Sequence, residues 1–159
     1  PVLVDRRGGI QPRLNRLLVT LDGSKRSEAA LAFGRELASQ TNAELVLLTV
    51  YADYPETHIA HYPGLDFLGA HVEEVEAAAG AYLSGVAQQD ERWEALPGRP
   101  LDVIVNFARD EDCDIIVMAS HGHGGLVQLA FGGTSDAVMR AADRPVLFIP
   151  VHGDEQPIG

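Results

Sequence analysis

The stretch LLVTLDGSKRSEAALAFGRELASQTNAELVLLTV, residues 17–50, decides the fold. Leu17 to Leu21 is a short apolar run that stops at Asp22-Gly23-Ser24, a turn followed by a residue of helix N-cap type. Ala30, Phe33, Gly34, Leu37 and Ala38 then recur at i, i+3, i+4, i+7 and i+8, which is one face of a helix. Leu45 to Val50 is nearly all apolar, as expected for a strand covered on both faces. The unit reads strand, helix, strand, and parallel neighbours require such a crossover.

The same alternation continues outward. After Val50, the polar and proline-punctuated YADYPETHIAHYPG reads as a loop. Leu68, Val72, Val75, Ala79, Tyr82, Leu83 and Val86 keep a helical stripe, and a weak strand follows around Arg92 to Leu96. Pro100 suits the first position of a helix whose apolar face is Leu101, Ile104, Val105 and Ala108. Ile115 to Ala119 is the next buried strand, before a glycine-rich loop, a helix from about Ser135 to Ala142 and a last strand at Val146 to Ile149. Five strands alternating with four helices predict an α/β domain, an open doubly wound five-stranded parallel sheet of order 3-2-1-4-5 with helices on both faces. In such sheets a ligand crevice lies where the winding reverses, beyond the carboxyl ends of strands 1 and 4. That rule nominates Asp22 and the segment from Met118 to Gly125.

Composition narrows the partners. The 159 residues make room for one domain, and 12 Lys and Arg against 23 Asp and Glu leave a formal net charge of −11. A field of that sign repels phosphate backbones and anionic lipid, so neither nucleic acid nor a membrane surface is expected as a partner. A small anion would have to be held locally by backbone N–H groups. No apolar run approaches the roughly 18 residues of a spanning helix, and PVLVDRRGG lacks the order of a signal peptide, so the expected compartment is the cytoplasm. Cys113 stands alone, and between Asp112 and Asp114 it reads as a buried structural thiol.

The candidate ligand segment runs from Met118-Ala119-Ser120-His121-Gly122-His123-Gly124-Gly125 to Gly132-Gly133-Thr134-Ser135-Asp136, where the last helix begins. Glycines let a backbone approach a ligand closely, and a helix N-terminus presents unpaired N–H groups with a partial positive charge. The hydroxyls of Thr134 and Ser135 add to those donors, so a phosphate needs no lysine here. The competing reading is that Ser135 only caps the helix and the glycines only turn the chain. No Gly-Lys dipeptide exists, which excludes a Walker A loop, and Gly122-x-Gly124 lacks its third glycine. His121 with His123, and His58 with His61, have the residue types of metal ligands, but nothing in their spacing makes three or four converge, and no metal is expected. Asp22 has no acidic partner for two-carboxylate chemistry, so no catalytic residue is assigned.

Four segments in order, Leu17 to Ser24, Val117 to Gly122, Gly132 to Val138 and Arg144 to Ile149, resemble the universal stress protein family over about Asn15 to Val151. The resemblance implies the fold derived above and, in an ATP-binding branch, a Gly-x2-Gly-x9-Gly-Ser/Thr motif. On this chain its positions are Ala119, Gly122, Gly132 and Gly133. Ala119 departs from glycine, and Gly133 lacks the hydroxyl expected beside the phosphates. The resemblance implies ATP or a related adenine nucleotide as ligand, with Mg as an optional companion. Asp22 would face the nucleotide, Val50 and Met118 would line the adenine side, and Gly122 with Gly132, Gly133, Thr134 and Ser135 would hold the phosphates. It also implies a homodimer through the strand at Pro145 to Val151, an apolar edge that would otherwise stay bare. The implied role is non-catalytic sensing or adaptor work linked to stress. The alternatives are an interaction dimer without nucleotide and, more weakly, slow ATP hydrolysis.

The domain is expected at residues 14–151, with a tail at 152–159 and an arm or linker remnant at 1–13. Within that arm Pro1-Val2-Leu3-Val4 repeats the start of Pro145-Val146-Leu147-Phe148. Two accounts stay open: the end of a preceding domain in a tandem protein, or a short arm left after methionine removal.

Overall fold

The computed structural model describes residues 2–4, 14–51, 72–122, 129–130 and 133–152. In chain order these form β1 (Val2–Val4), β2 (Arg16–Leu21), α1 (Lys25–Thr41), β3 (Glu44–Tyr51), α2 (Val72–Val86) and β4 (Arg92–Pro97). There follow α3 (Pro100–Asp110), β5 (Ile115–Gly122), β6 (Leu129–Ala130), α4 (Gly133–Ala141) and β7 (Val146–His152). One seven-stranded sheet has the order β1-β7-β5-β2-β3-β4, with β6 beside β5. The expected strands 1 to 5 are β2, β3, β4, β5 and β7, and their order across the sheet is 3-2-1-4-5, as predicted. Every contact among these five is parallel.

Residue parity explains why both faces are covered. Side chains alternate across a strand, so Leu17, Val19 and Leu21 of β2 join Leu45 and Leu47 of β3 on one face, against Ala30, Leu31 and Ala38 of α1 and Leu83 of α2. Leu18, Val46, Leu48, Ile116 and Phe148 point the other way, onto Ile104 and Ala108 of α3 and Val138 of α4. A run such as LVLLTV is apolar throughout because each parity has its own helical layer. Helix α1 lies close to the sheet because a Cβ at Gly34 would stand 2.6 Å from Val19 Cγ2. Asn42, with φ of 55°, ends α1 in the left-handed region while its N–H donates to the Ala38 carbonyl.

Beyond the expected five, β1 pairs antiparallel with β7, Val2 opposite Phe148 and Val4 opposite Val146. The edge expected to be bare at Pro145 to Val151 thus carries a strand along its first three residues. Helix α4 begins at Gly133, two residues before the predicted start, and β5 and β7 each run three residues further than their apolar cores. The extra residues of β5 pair with β6 and with the end of β7, so long-range pairing extends them past the apolar signal.

Charged side chains pair at the amino ends of the strands. Arg16 donates to Glu44 at 2.8 Å, Arg92 to Glu111 at 2.6 Å, and Asp114 accepts from the backbone N–H groups of Asn15 and Arg16. Hydrogen bonding from Arg92 holds the Glu111 carboxyl below its usual range. Burial, rather than its acidic neighbours, is the main cause that pushes the Cys113 thiol up to about 11, which makes it inert at neutral pH.

Glu91 ties α1 to the turn before β4. It accepts from Arg35 Nε at 2.6 Å, Arg35 Nη2 at 2.7 Å and the Gln88 N–H at 2.8 Å, with its side chain only 10% exposed. Burial alone would raise its pKa, but these donors outweigh it and the net displacement is downward. The resulting stabilisation is complete above the unfolded glutamate value of about 4.3 and is lost as pH falls through the lower folded value. Glu91→Gln is expected to lower Tm at pH 7 by about 2–8 °C, from roughly 1–2 kcal/mol at 2–4 °C per kcal/mol. Thermal melts between pH 7 and pH 3 should then show a shallower acid decline in the variant than in the parent.

Candidate functional site

At the carboxyl ends of the strands, β2 leads through α1 to β3 on one side while β5 leads through α4 to β7 on the other. The two connections diverge, and a cavity of about 290 Å³ opens between them. Its lining comes from the end of β2 (Thr20, Leu21, Asp22), the start of α1 (Arg26, Ser27), β3 (Leu48, Val50), Pro100, β5 (Met118, Ala119) and the start of α4 (Gly133, Thr134, Ser135). The lining therefore includes both apolar and polar groups.

Most of the predicted site residues meet there. Asp22, Val50, Met118, Ala119, Gly133, Thr134 and Ser135 all line this one cavity. Gly122 stands further along β5, its backbone paired with Leu129 and His152. Gly132 lies outside the described residues, as do His58, His61 and His123. Ala119 keeps extended backbone, paired with Ile149, so its methyl group adds to the wall without straining the strand. Gly133 has open space around it, and a Cβ there would meet nothing within 4 Å.

The turn at Asp22 is held by its own hydrogen bonds. Asp22 Oδ1 accepts from the Ser24 N–H at 3.0 Å and the Ser24 hydroxyl at 2.6 Å, and Gly23 takes φ of 80° to let the chain turn. Ser24 in turn caps α1, its Oγ accepting from the Ser27 N–H. Ser27 Oγ donates to the Ser24 carbonyl at 2.8 Å and is close enough to accept from the Asp22 N–H at 3.3 Å. Asp22 thus both lines the cavity and shapes the entry to α1.

Arg26 and Ser27 were not nominated from sequence. Arg26 brings a permanent positive charge to a cavity whose only other charged lining residue, among those described, is Asp22. The available signal was position: Arg26 sits in the first turn of the helix that leaves the switch point. With Thr134 and Ser135 at the first turn of α4, the polar lining sets N–H donors, hydroxyls and a guanidinium, groups that suit an anion, beside the single carboxylate of Asp22. Among the described lining residues no acid and base form a proton-transfer pair. Among the described residues no group of three or more His, Cys, Asp or Glu could hold a metal.

Comparison with known proteins gives the lineage. The profile of the Universal stress protein family matches residues 13–150. Universal stress protein Rv2005c of Mycobacterium tuberculosis is 32% identical over 143 residues, which cover 86% of this chain and 45% of that protein. The chain therefore spans about half the length of the mycobacterial relatives it matches. A universal stress protein of Thermus aquaticus is 31% identical over 140 residues, covering 84% of this chain and 96% of that protein. Among solved structures, a universal stress protein in complex with cAMP is similar with a TM-score of 0.57 at 22% identity, covering 87% of this chain and 98% of that one. The family match over most of the chain leads to one conclusion: this chain belongs to the universal stress protein family.

Proposed function

We propose that the chain binds an adenine nucleotide, ATP or a relative of it, in the cavity between β2 and β5, and works in the cytoplasm as a non-catalytic, stress-linked sensor or adaptor. The observation that carries this reading is the mixed lining of the cavity. Leu48, Val50 and Met118 offer an apolar slot for a base, while the start of α4, Thr134, Ser135 and Arg26 offer donors and positive charge to phosphate. Its volume of about 290 Å³ lies just below the roughly 300–1,000 Å³ of small-molecule sites. The cAMP bound in a structural neighbour supports a ligand of this class. Mg would accompany a triphosphate on the ligand's own oxygens, since the described residues supply no cluster for it. The same reading makes the chain a homodimer through the strand at Pro145 to Val151.

The test is calorimetric titration with MgATP, together with chromatography of nucleotide released when the purified protein is denatured. Saturable heat at micromolar to millimolar ligand is expected. No released nucleotide and no heat at millimolar ATP would overturn the reading in favour of a protein-interaction dimer. Gly133→Ser adds a hydroxyl into open space beside the donors of α4 and is expected to tighten ATP binding about 3- to 10-fold, the effect of one net hydrogen bond of about 0.5–1.5 kcal/mol.

A further inference from the structure

Among the described residues the buried polar side chains are Thr20, Ser27, Thr49, Ser120 and Ser135. Three of them have a partner inside the protein. Ser27 Oγ donates to the Ser24 carbonyl at 2.8 Å, Thr49 Oγ1 to the Leu21 carbonyl at 3.1 Å and Ser120 Oγ to the Ile149 carbonyl at 3.5 Å. Thr20 and Ser135 have no side-chain hydrogen bond among the described residues, and both line the cavity. A hydroxyl withdrawn from water without a partner carries a cost that a valine of the same shape would not. Ser135 belongs to the start of α4, whose donors suit an anion. Thr20 has other neighbours. It follows Leu18 by two residues and so shares its face of the sheet, the one covered by α3 and α4. In register it stands beside Leu48 of β3, and it lies one residue beyond the pair of Val19 with Val117, which brings Met118 of β5 to its other side. The row Leu48, Thr20, Met118 thus sets one hydroxyl between two apolar side chains, on a residue only 9% exposed.

We propose that the Thr20 hydroxyl is the group that reads the base of the bound ligand, through a hydrogen bond to a ring nitrogen or to the exocyclic amine of a purine lying over Leu48 and Met118. The proposal rests on the nucleotide reading above and adds what makes the slot select a nitrogen heterocycle over a plain hydrocarbon ring. Leu48 and Met118 accept either by burial alone. The hydroxyl does not. An occupant without a matching polar atom leaves it buried and unpaired, whereas a ring nitrogen accepts from it and an amine donates to it. The two ends of the ligand are then read by different residues, the base by Thr20 and the phosphates by Arg26 and the start of α4.

The test is calorimetric titration of the parent, Thr20→Val and Thr20→Ser with MgATP, with adenosine, and with a set of ATP analogues that each lack one ring nitrogen or the exocyclic amine. Thr20→Val is expected to weaken ATP and adenosine alike by about 3- to 10-fold, the effect of one net hydrogen bond, while Thr20→Ser stays within about twofold of the parent. One analogue should lose the same factor against the parent and nothing further against Thr20→Val, the signature of a shared bond in a double-mutant cycle. Without ligand, Thr20→Val should melt as high as the parent or higher, because it removes a buried hydroxyl that the fold does not use. Equal ATP affinity for the parent and Thr20→Val, or additive losses for every analogue, would overturn the proposal while leaving the nucleotide reading in place. A loss confined to ATP and absent with adenosine would put the hydroxyl at the phosphates, and a lower melting temperature of the ligand-free variant would assign it to the fold; either result overturns the proposal. No ATP binding by the parent would overturn both readings.

Discussion

Thr134→Asp is expected to abolish nucleotide binding, by at least about 100-fold, while leaving the fold as stable as before or slightly more so. The two halves of the result have one cause. Thr134 lies in the first turn of α4, half-buried on the cavity wall. A carboxylate there is favoured by the helix dipole, worth typically about 0.3–1 kcal/mol at such a position. The same carboxylate takes the N–H donors that a phosphate would use and repels it as well. Two charge-assisted hydrogen bonds at about 1.5–3 kcal/mol each already exceed the roughly 2.8 kcal/mol that corresponds to a hundredfold. Calorimetry with MgATP beside a thermal melt separates the two effects. A melt as high as the parent's with unchanged ATP affinity would remove α4 from the phosphate site.

Phe148→Ala carries the largest expected loss of stability. Phe148 is fully buried on the face covered by α3 and α4, among Met118, Val138 and Ile116. Truncation removes its transfer free energy and leaves a cavity that the sheet cannot collapse, at a cost of about 3–5 kcal/mol. At 2–4 °C per kcal/mol for a chain of this size, Tm should fall by about 6–20 °C, read by calorimetry or circular dichroism. The variant keeps the backbone pairing of β7 with β5 and with β1, so the loss measures core packing alone. A fall of less than about 2 °C would mean that the helical layer over this face is not packed as described.

Most of the fold was legible because its signals are local. The parity of LVLLTV, the helical spacing from Ala30 to Ala38 and the proline that opens α3 each report on a window of a few residues. Strand ends were less legible. Residues His121 and Gly122 of β5 are strand because Val151 and His152 of β7 pair with them, and neither pair carries an apolar pattern. The antiparallel β1 was missed although the repeat it belongs to was visible, because a repeat does not say where its copies lie. Similarly, nothing local in the run from Asp110 to Asp114 names a partner, yet Glu111 and Asp114 hold strand ends through Arg92 and the backbone at Asn15 and Arg16.

The cavity divides in the same way. Asp22, Met118 and Ala119 follow from the switch-point rule, since strand ends at a reversal of winding must face one another. Gly133, Thr134 and Ser135 follow from the position of a helix start. Arg26, Ser27 and Pro100 do not, because each projects from a first helical turn whose rotation about its axis depends on how that helix sits on the sheet. Periodicity and turn chemistry act between near neighbours, so the amino-acid sequence by itself determined the elements, their alternation and the end of the sheet where a ligand belongs. The sharing of one cavity by Arg26 and the start of α4, and the pairing of Val2 with Phe148 across the length of the chain, were decided only by tertiary packing, which joins groups that no local pattern relates.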